Sequence, residues 1–360
     1  MSFRKTAYAT VALSLAAFAS AGLARAADLP VKAAKPVKDL PFFLVIDDRV
    51  TYSYIFTGTD PGVAARLPGG GIDSKTAKQV YSFTHFDIWG MGSNFFTISM
   101  FKSDHNDPAF GCFSGGATFI GTSAGCAGAT EIYGLFRSTL GWNELFGTKM
   151  FSMGPLHNIS FEIGADAGTE NNQLAPAKRD FVAGLQFAFD LPYKGFFNVA
   201  PLAYKEINHN SFDQCGSLGA TGCLVDGNTD YHWTWAVETN YYMDLGFLPS
   251  NMQFFSVSGR AAWYGPKGNE NQPLTNLTFG QPTKTEFNSE PIRLTFDASK
   301  AFWGPRYEHF VDVWVAYRYW QNKFGLDHAN SPTCTLGGPG TASTGSCTES
   351  SAYAGVTVKF

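Results

Sequence analysis

The sequence is poor in charge. Asp, Glu, Lys and Arg make up 16% of its 360 residues, against roughly 25% in an ordinary soluble domain. Beyond the N-terminus no stretch holds the roughly 18 uninterrupted apolar residues of a membrane helix, so a bundle of transmembrane helices is excluded. The 38 glycines and 18 prolines follow no period, which excludes collagen-like and low-complexity chains. No HExxH or P-loop pattern occurs, the 7 histidines do not cluster at ligand spacing, and none of the 6 cysteines lies in a CxxC pair. The usual metal, zinc and nucleotide sites therefore have no signature here. The chain reads as a non-enzyme without cofactor. Rings are what it has in abundance: 33 Phe, 15 Tyr and 8 Trp match the charged residues at 16%.

The first residues read as an address. Arg4 and Lys5 precede an apolar core from Ala7 to Ala21, and Ala24-Arg25-Ala26 forms a small-residue cleavage site. The expected organisation is a signal peptide over 1–26, a short periplasmic tail over 27–40 and a barrel over 41–360. Losing Arg4, Lys5 and Arg25 leaves 23 basic residues against 30 acidic ones, a net −7. A nucleic-acid binder has the opposite balance. Export also brings oxidising conditions, in which cysteines pair. Proximity favours Cys112 with Cys126, Cys215 with Cys223, and Cys334 with Cys347, each within a Gly-, Ser- and Thr-rich stretch. Stapled surface loops fit these pairs better than free or metal-binding thiols.

Beyond the tail the chain alternates with period two. In Phe310 to Gln321, Val311, Val313, Val315, Tyr317 and Tyr319 alternate with Asp312, Trp314, Ala316, Arg318 and Trp320. A helix would mix these two sets, whereas a strand separates them. About twelve such segments follow one another, near 43–56, 77–89, 93–103, 130–142, 155–168, 178–190, 195–208, 230–244, 253–265, 284–298, 307–321 and 350–360. Their connectors alternate short and long, and all three cysteine pairs fall in long ones. An even strand count with this rhythm predicts an all-β fold, a transmembrane antiparallel up-and-down β-barrel in the bacterial outer membrane, in contact with lipid and lipopolysaccharide. The last strand ends on Phe360, which suits recognition by barrel-assembly machinery. A soluble β-sandwich, the alternative, accounts less well for so many outward Trp and Tyr.

Turning the polar face inward puts Asp47, Arg49, Glu131, Arg137, Glu162, Asp166, Arg260, Arg293, Asp297, Asp312 and Arg318 in the lumen. The same parity adds Phe83, Phe95, Phe101, Tyr133, Trp314 and Trp320, and His85 beside Asp87. Charges of both signs suit a hydrated passage. Rings beside hydrogen-bonding groups suit a flat polar solute such as a nucleoside base. The candidate solute-contacting set is Phe83, His85, Phe95, Glu131, Tyr133, Arg137, Trp314 and Arg318. For His85, a hydrogen bond that braces the turn competes with solute contact.

The run His85-Phe86-Asp87-Ile88-Trp89-Gly90-Met91-Gly92-Ser93-Asn94-Phe95-Phe96 resembles the strand–turn–strand motif of the nucleoside-specific outer-membrane channels, the Tsx-like family. That motif reads His, Trp four residues on, then Gly-Asp-Asn-Phe-Phe. Glu131-Ile132-Tyr133-Gly134 is similar to the family's Glu-x-Tyr-Gly. Gly154-Pro155, Ala183-Gly184, Pro192 and Phe196-Phe197 extend the likeness over roughly residues 80–265. Ser93 stands where the family has Asp, Leu135 where it has an acid, and the cysteine loops depart from its pattern. The resemblance implies a monomeric barrel passing nucleosides by diffusion, without ion gradient or ATP. A general or otherwise selective porin, and a structural surface barrel working through its stapled loops, are the alternatives.

Overall fold

A computed structural model of the chain describes residues 42–360 apart from 68–69, 111–125, 173, 211–223, 225–227, 272–282 and 338–339. The expected signal peptide and tail lie outside the described residues. The strands are β1 (Phe43–Gly58), two short strands β2 (Ala65–Arg66) and β3 (Ile72–Asp73), β4 (Thr76–Trp89), β5 (Gly92–Ser103), β6 (Thr130–Gly141), β7 (Leu156–Glu170), β8 (Ala177–Leu191), β9 (Gly195–Asn210), β10 (Thr234–Asp244), β11 (Phe255–Tyr264), β12 (Glu286–Asp297), β13 (Val311–Gln321) and β14 (Thr348–Lys359). All but β2 and β3 form one closed barrel in which each strand pairs with its neighbours in sequence. β1 closes on β14, with Thr51 opposite Thr357 and Tyr52 opposite Val356. This is the all-β, twelve-stranded antiparallel up-and-down barrel the periodicity predicts.

Period two explains the two walls. On β7, Phe161 and Ile163 stand exposed on the outer face while Glu162 and Asp166, on the opposite parity, are buried inside. On β13, Val313 and Val315 are exposed and Trp314 is buried. An apolar outer wall around a polar interior, with no open sheet edge, meets the requirement of lipid that every backbone group be bonded within the chain. Ring clusters flank the wall at both ends. Trp142, Phe151 and Phe161 meet at one end, as do Trp303, Tyr307 and Phe310, while Trp263 stacks on Phe287 at the other.

The five connectors at the end shared with the start of β1 cover 90–91, 142–155, 192–194, 245–254 and 298–310. The opposite end carries 59–75, 104–129, 171–176, 211–233, 265–285 and 322–347. Strand order assigns each connector to its end, because length alone fails twice. The 142–155 turn holds a short helix, α1 (Trp142–Leu145). The 171–176 loop is tight because Asn172 turns back, its Oδ1 accepting from the amides of Leu174 and Ala175, both at 3.1 Å. β13 starts at Val311 rather than 307 because α2 (Ala298–Trp303), a turn at Pro305 and His309 at φ 57° precede it. β12 carries a bulge between Ser289 and Ile292, where Pro291 has no amide hydrogen to give the ladder.

Candidate functional site: the lumen and its mouth

Glu131, Tyr133 and Arg137 of β6, Phe95 and Phe101 of β5, and Trp314, Arg318 and Trp320 of β13 all face the interior. All but Arg137 border a cavity of about 370 Å³, whose lining also draws on β1, β4, β7, β8, β11, β12 and β14. Hydroxyl pairs bridge neighbouring strands along it: Ser82 to Ser99 at 2.8 Å, Thr84 to Thr97 at 3.2 Å and Thr51 to Thr357 at 2.9 Å.

Phe83 and His85 do not belong to it. β4 carries apolar residues on both faces, so its pattern leaves the parity open, and pairing decides it. Phe83 lies opposite Val50 and Ile98, both exposed on the outer wall, and Lys78, Val80, Ser82 and Thr84 turn inward instead. His85 stands at the rim, its Nδ1 2.7 Å from Asp48 and its Nε2 3.1 Å from Asp87. It braces the turn, whose other side is tied by Asn94 donating to Asp87 at 2.9 Å.

Arg137 divides the lumen. Its Nε and Nη2 donate to Glu238 of β10 at 3.0 and 2.8 Å, and its Nη1 to Asp166 of β7 at 2.6 Å. Since β7, β8 and β9 separate β6 from β10 along the wall, this bridge crosses the interior. Gly164, opposite Arg137 in register, makes room for it: a Cβ there would sit 2.5 Å from Arg137 Cδ. Tyr133 donates to Asp166 at 2.8 Å and Tyr264 to Glu238 at 3.0 Å, completing the acceptors. Behind the bridge, Val182, Leu202, Tyr204, Ala236 and Tyr264 pack as a core. Of this core only Tyr264 also borders the cavity.

On the cavity side, cations lie over rings. The Arg293 guanidinium is 3.9 Å from the centre of Trp314, Arg318 is 5.0 Å from Trp320, and Lys323 Nζ is 4.5 Å from Trp320. Arg293 also donates to Glu290 at 2.6 Å, and Arg318 and Lys323 pair with Glu349.

The mouth at the long-loop end is clasped. Lys78 Nζ sits 2.9 Å from Asp60, 3.4 Å from Glu131 and 3.5 Å from Glu170. Gly62 packs against Leu174 and Thr333, so the first loop reaches over to connectors 171–176 and 322–347. Leu174, Leu326 and the Cys334–Cys347 disulfide form a small apolar cluster there, with Phe324 against it. Cys126 is also disulfide-bonded. Cys112, Cys215 and Cys223 lie outside the described residues, and with them the other two expected pairings.

Asp107 is buried in this clasp, accepting from Ser103 at 2.6 Å and Asn172 at 3.4 Å. Burial, with Asp60 nearby, pushes its carboxyl up to about 6, against the opposing pull of Lys78 and Ser103. A carboxyl raised in the folded state stabilises the fold while protonated, and that contribution is lost as pH rises through the raised value. The clasp should therefore resist proteolysis better at pH 5 than at pH 7.5, measured with a protease whose activity at both values is calibrated. Equal or reversed rates would contradict this.

Among the described residues, two groups have metal-like spacing, Asp60 with Glu131 and Glu170, and Asp297 with His309 and Asp312. The Lys78 ammonium already sits among the first. In the second, His309 Nδ1 faces Asp312 at 3.1 Å and Asp297 accepts from the His309 amide at 2.7 Å. The letters of a nucleophile elbow occur at Gly121-Thr122-Ser123-Ala124-Gly125. These positions lie outside the described residues.

No protein-family model matches the chain, and no curated protein does. Among solved structures it is similar to an outer-membrane channel from Pseudomonas putida F1 at 11% identity and a TM-score of 0.40, over 91% of this chain and 100% of that one. It is also similar to the translocator domain of the autotransporter NalP from Neisseria meningitidis, at 10% identity and 0.34 over 99% and 98%. A third is the outer-membrane channel DcaP of Acinetobacter baumannii, at 10% and 0.33 over 88% and 96%.

Proposed function

We propose that this barrel is an integral outer-membrane channel that lets small polar solutes, nucleosides foremost, diffuse passively across. One observation carries the reading. A cavity lined by hydroxyls, paired charges and rings runs inside a wall whose outer face is apolar. Burying charge inside costs free energy unless it is paired or meets water, and a structural barrel of this width could fill itself with apolar side chains instead. Phe95, Tyr133 and Trp314 offer ring faces to a flat solute, and Glu131 and Arg318 offer hydrogen bonds at its edge. Lipopolysaccharide would meet the ring belt, one barrel would be the working unit, and Phe360 would serve the assembly machinery.

The clasp favours a second reading, a closed surface barrel. Purified protein in planar bilayers distinguishes them. The channel reading expects discrete conductance steps that millimolar adenosine or thymidine blocks. Steps indifferent to nucleosides would leave a general porin, and no steps under any pH would leave the surface barrel.

A further inference from the structure

We infer that the cavity holds an anion-recognition site built on Arg260, so that its preferred solute is a flat ring bearing a negative group. This rests on the reading of the lumen as a solute site. Arg260 stands on β11, lines the cavity and is exposed to it. Other cations on the cavity wall have acidic partners: Lys78 with Asp60, Lys178 with Asp180, Arg293 with Glu290, Arg318 and Lys323 with Glu349. Arg260 has neither ion pair nor hydrogen bond among the described residues.

The bulge explains why. Glu290 is the register partner of Arg260, but the irregularity beside Pro291 turns Arg293 to the same face. Arg293 Nε and the Tyr353 hydroxyl then occupy the two Glu290 oxygens. The fork of the guanidinium left over matches a carboxylate or phosphate with two parallel hydrogen bonds. An unpaired cation in a narrow lumen also concentrates anions there. Phe95 and Tyr133 on the facing strands, and Trp314 beneath Arg293, supply ring surfaces along the same cavity.

The test compares charged and neutral members of matched pairs, benzoate with benzamide and adenosine monophosphate with adenosine, by titration calorimetry on the full barrel in detergent. The charged member of at least one pair is expected to bind about tenfold more tightly, as one well-made charge-assisted contact allows. Benzoate alone would identify a carboxylate site, and the nucleotide alone a phosphate site. Arg260→Gln should erase the gap without weakening the neutral ligand, and Arg260→Lys should keep part of it. Arg260 braces nothing, so both variants should fold, checked by their heat-shifted mobility in gels. Equal binding within both pairs, or a gap that survives in R260Q, overturns the inference. Bilayer recordings on the same samples separate the two claims: a binding gap without conductance sinks the channel reading alone, and conductance without a gap sinks the anion site alone.

Discussion

Replacing Arg137 by alanine is expected to weaken the barrel and widen its lumen together. The side chain is nearly buried and bridges β6 to β10 through Glu238 while holding Asp166. Removing it leaves the carboxyl groups of Asp166, Glu238 and the nearby Glu162 facing one another without their cation. Breaking a buried ion pair in this way costs about 3–5 kcal/mol, and water in the adjoining cavity favours the lower end. The loss should appear as a lower temperature for the heat-shifted gel mobility of the detergent-folded protein. The volume the guanidinium occupied joins the cavity, so R137A should pass larger unitary currents than the parent. Arg137→Lys keeps a charge but not the fork, since an ammonium cannot give parallel pairs to Glu238 and Asp166 at once. It should recover part of the stability. If R137A unfolds with the parent and conducts no better, the bridge is not a partition of the lumen.

The walls were legible because lipid and lumen impose opposite chemistry on successive residues. β13 could be read residue by residue: Val313 and Val315 need a greasy surface, and Asp312 and Arg318 do not. β4 could not, since Tyr81 and Phe83 on one face compete with Val80 and Phe86 on the other. Lys78 was the signal that could have settled it. Once Lys78 is turned inward, as the closed wall demands, Phe83 and His85 must turn out. Parity correctly turned Arg137 and Arg260 inward, but it is blind to partners. Glu238 lies 101 residues from Arg137 in sequence, and only barrel closure brings them together. The isolation of Arg260 depends on a one-residue shift beside Pro291; a proline within a strand hints at such a shift without saying which side chain it frees. The clasp was out of reach, because loop residues such as Asp60, Asp107 and Asn172 carry no period.

Substituting Lys78 by methionine should release the mouth. The stem can be replaced at nearly constant volume, so the effect isolates the ammonium. Asp60, Glu131 and Glu170 have carboxylate oxygens within 4.8 Å of one another, and Asp60 Oδ2 and Glu170 Oε1 already lack a hydrogen-bond partner. Without the cation, their repulsion is relieved most cheaply by moving the element least fixed to the sheet. Asp60 sits on a connector, while Glu131 and Glu170 are paired in β6 and β7. The first loop should therefore swing away, at a cost to the closed state of about 3–5 kcal/mol, leaving the strands in place. Limited proteolysis should cut K78M between β1 and β4 where the parent resists, while both keep the same heat-shifted mobility. Adding Glu170→Gln removes one of the three carboxyl groups and should restore part of the protection, a coupling that a double-mutant cycle measures directly. Equal protease resistance in K78M and the parent would mean that the apolar cluster around Leu174 and Leu326 closes the mouth unaided.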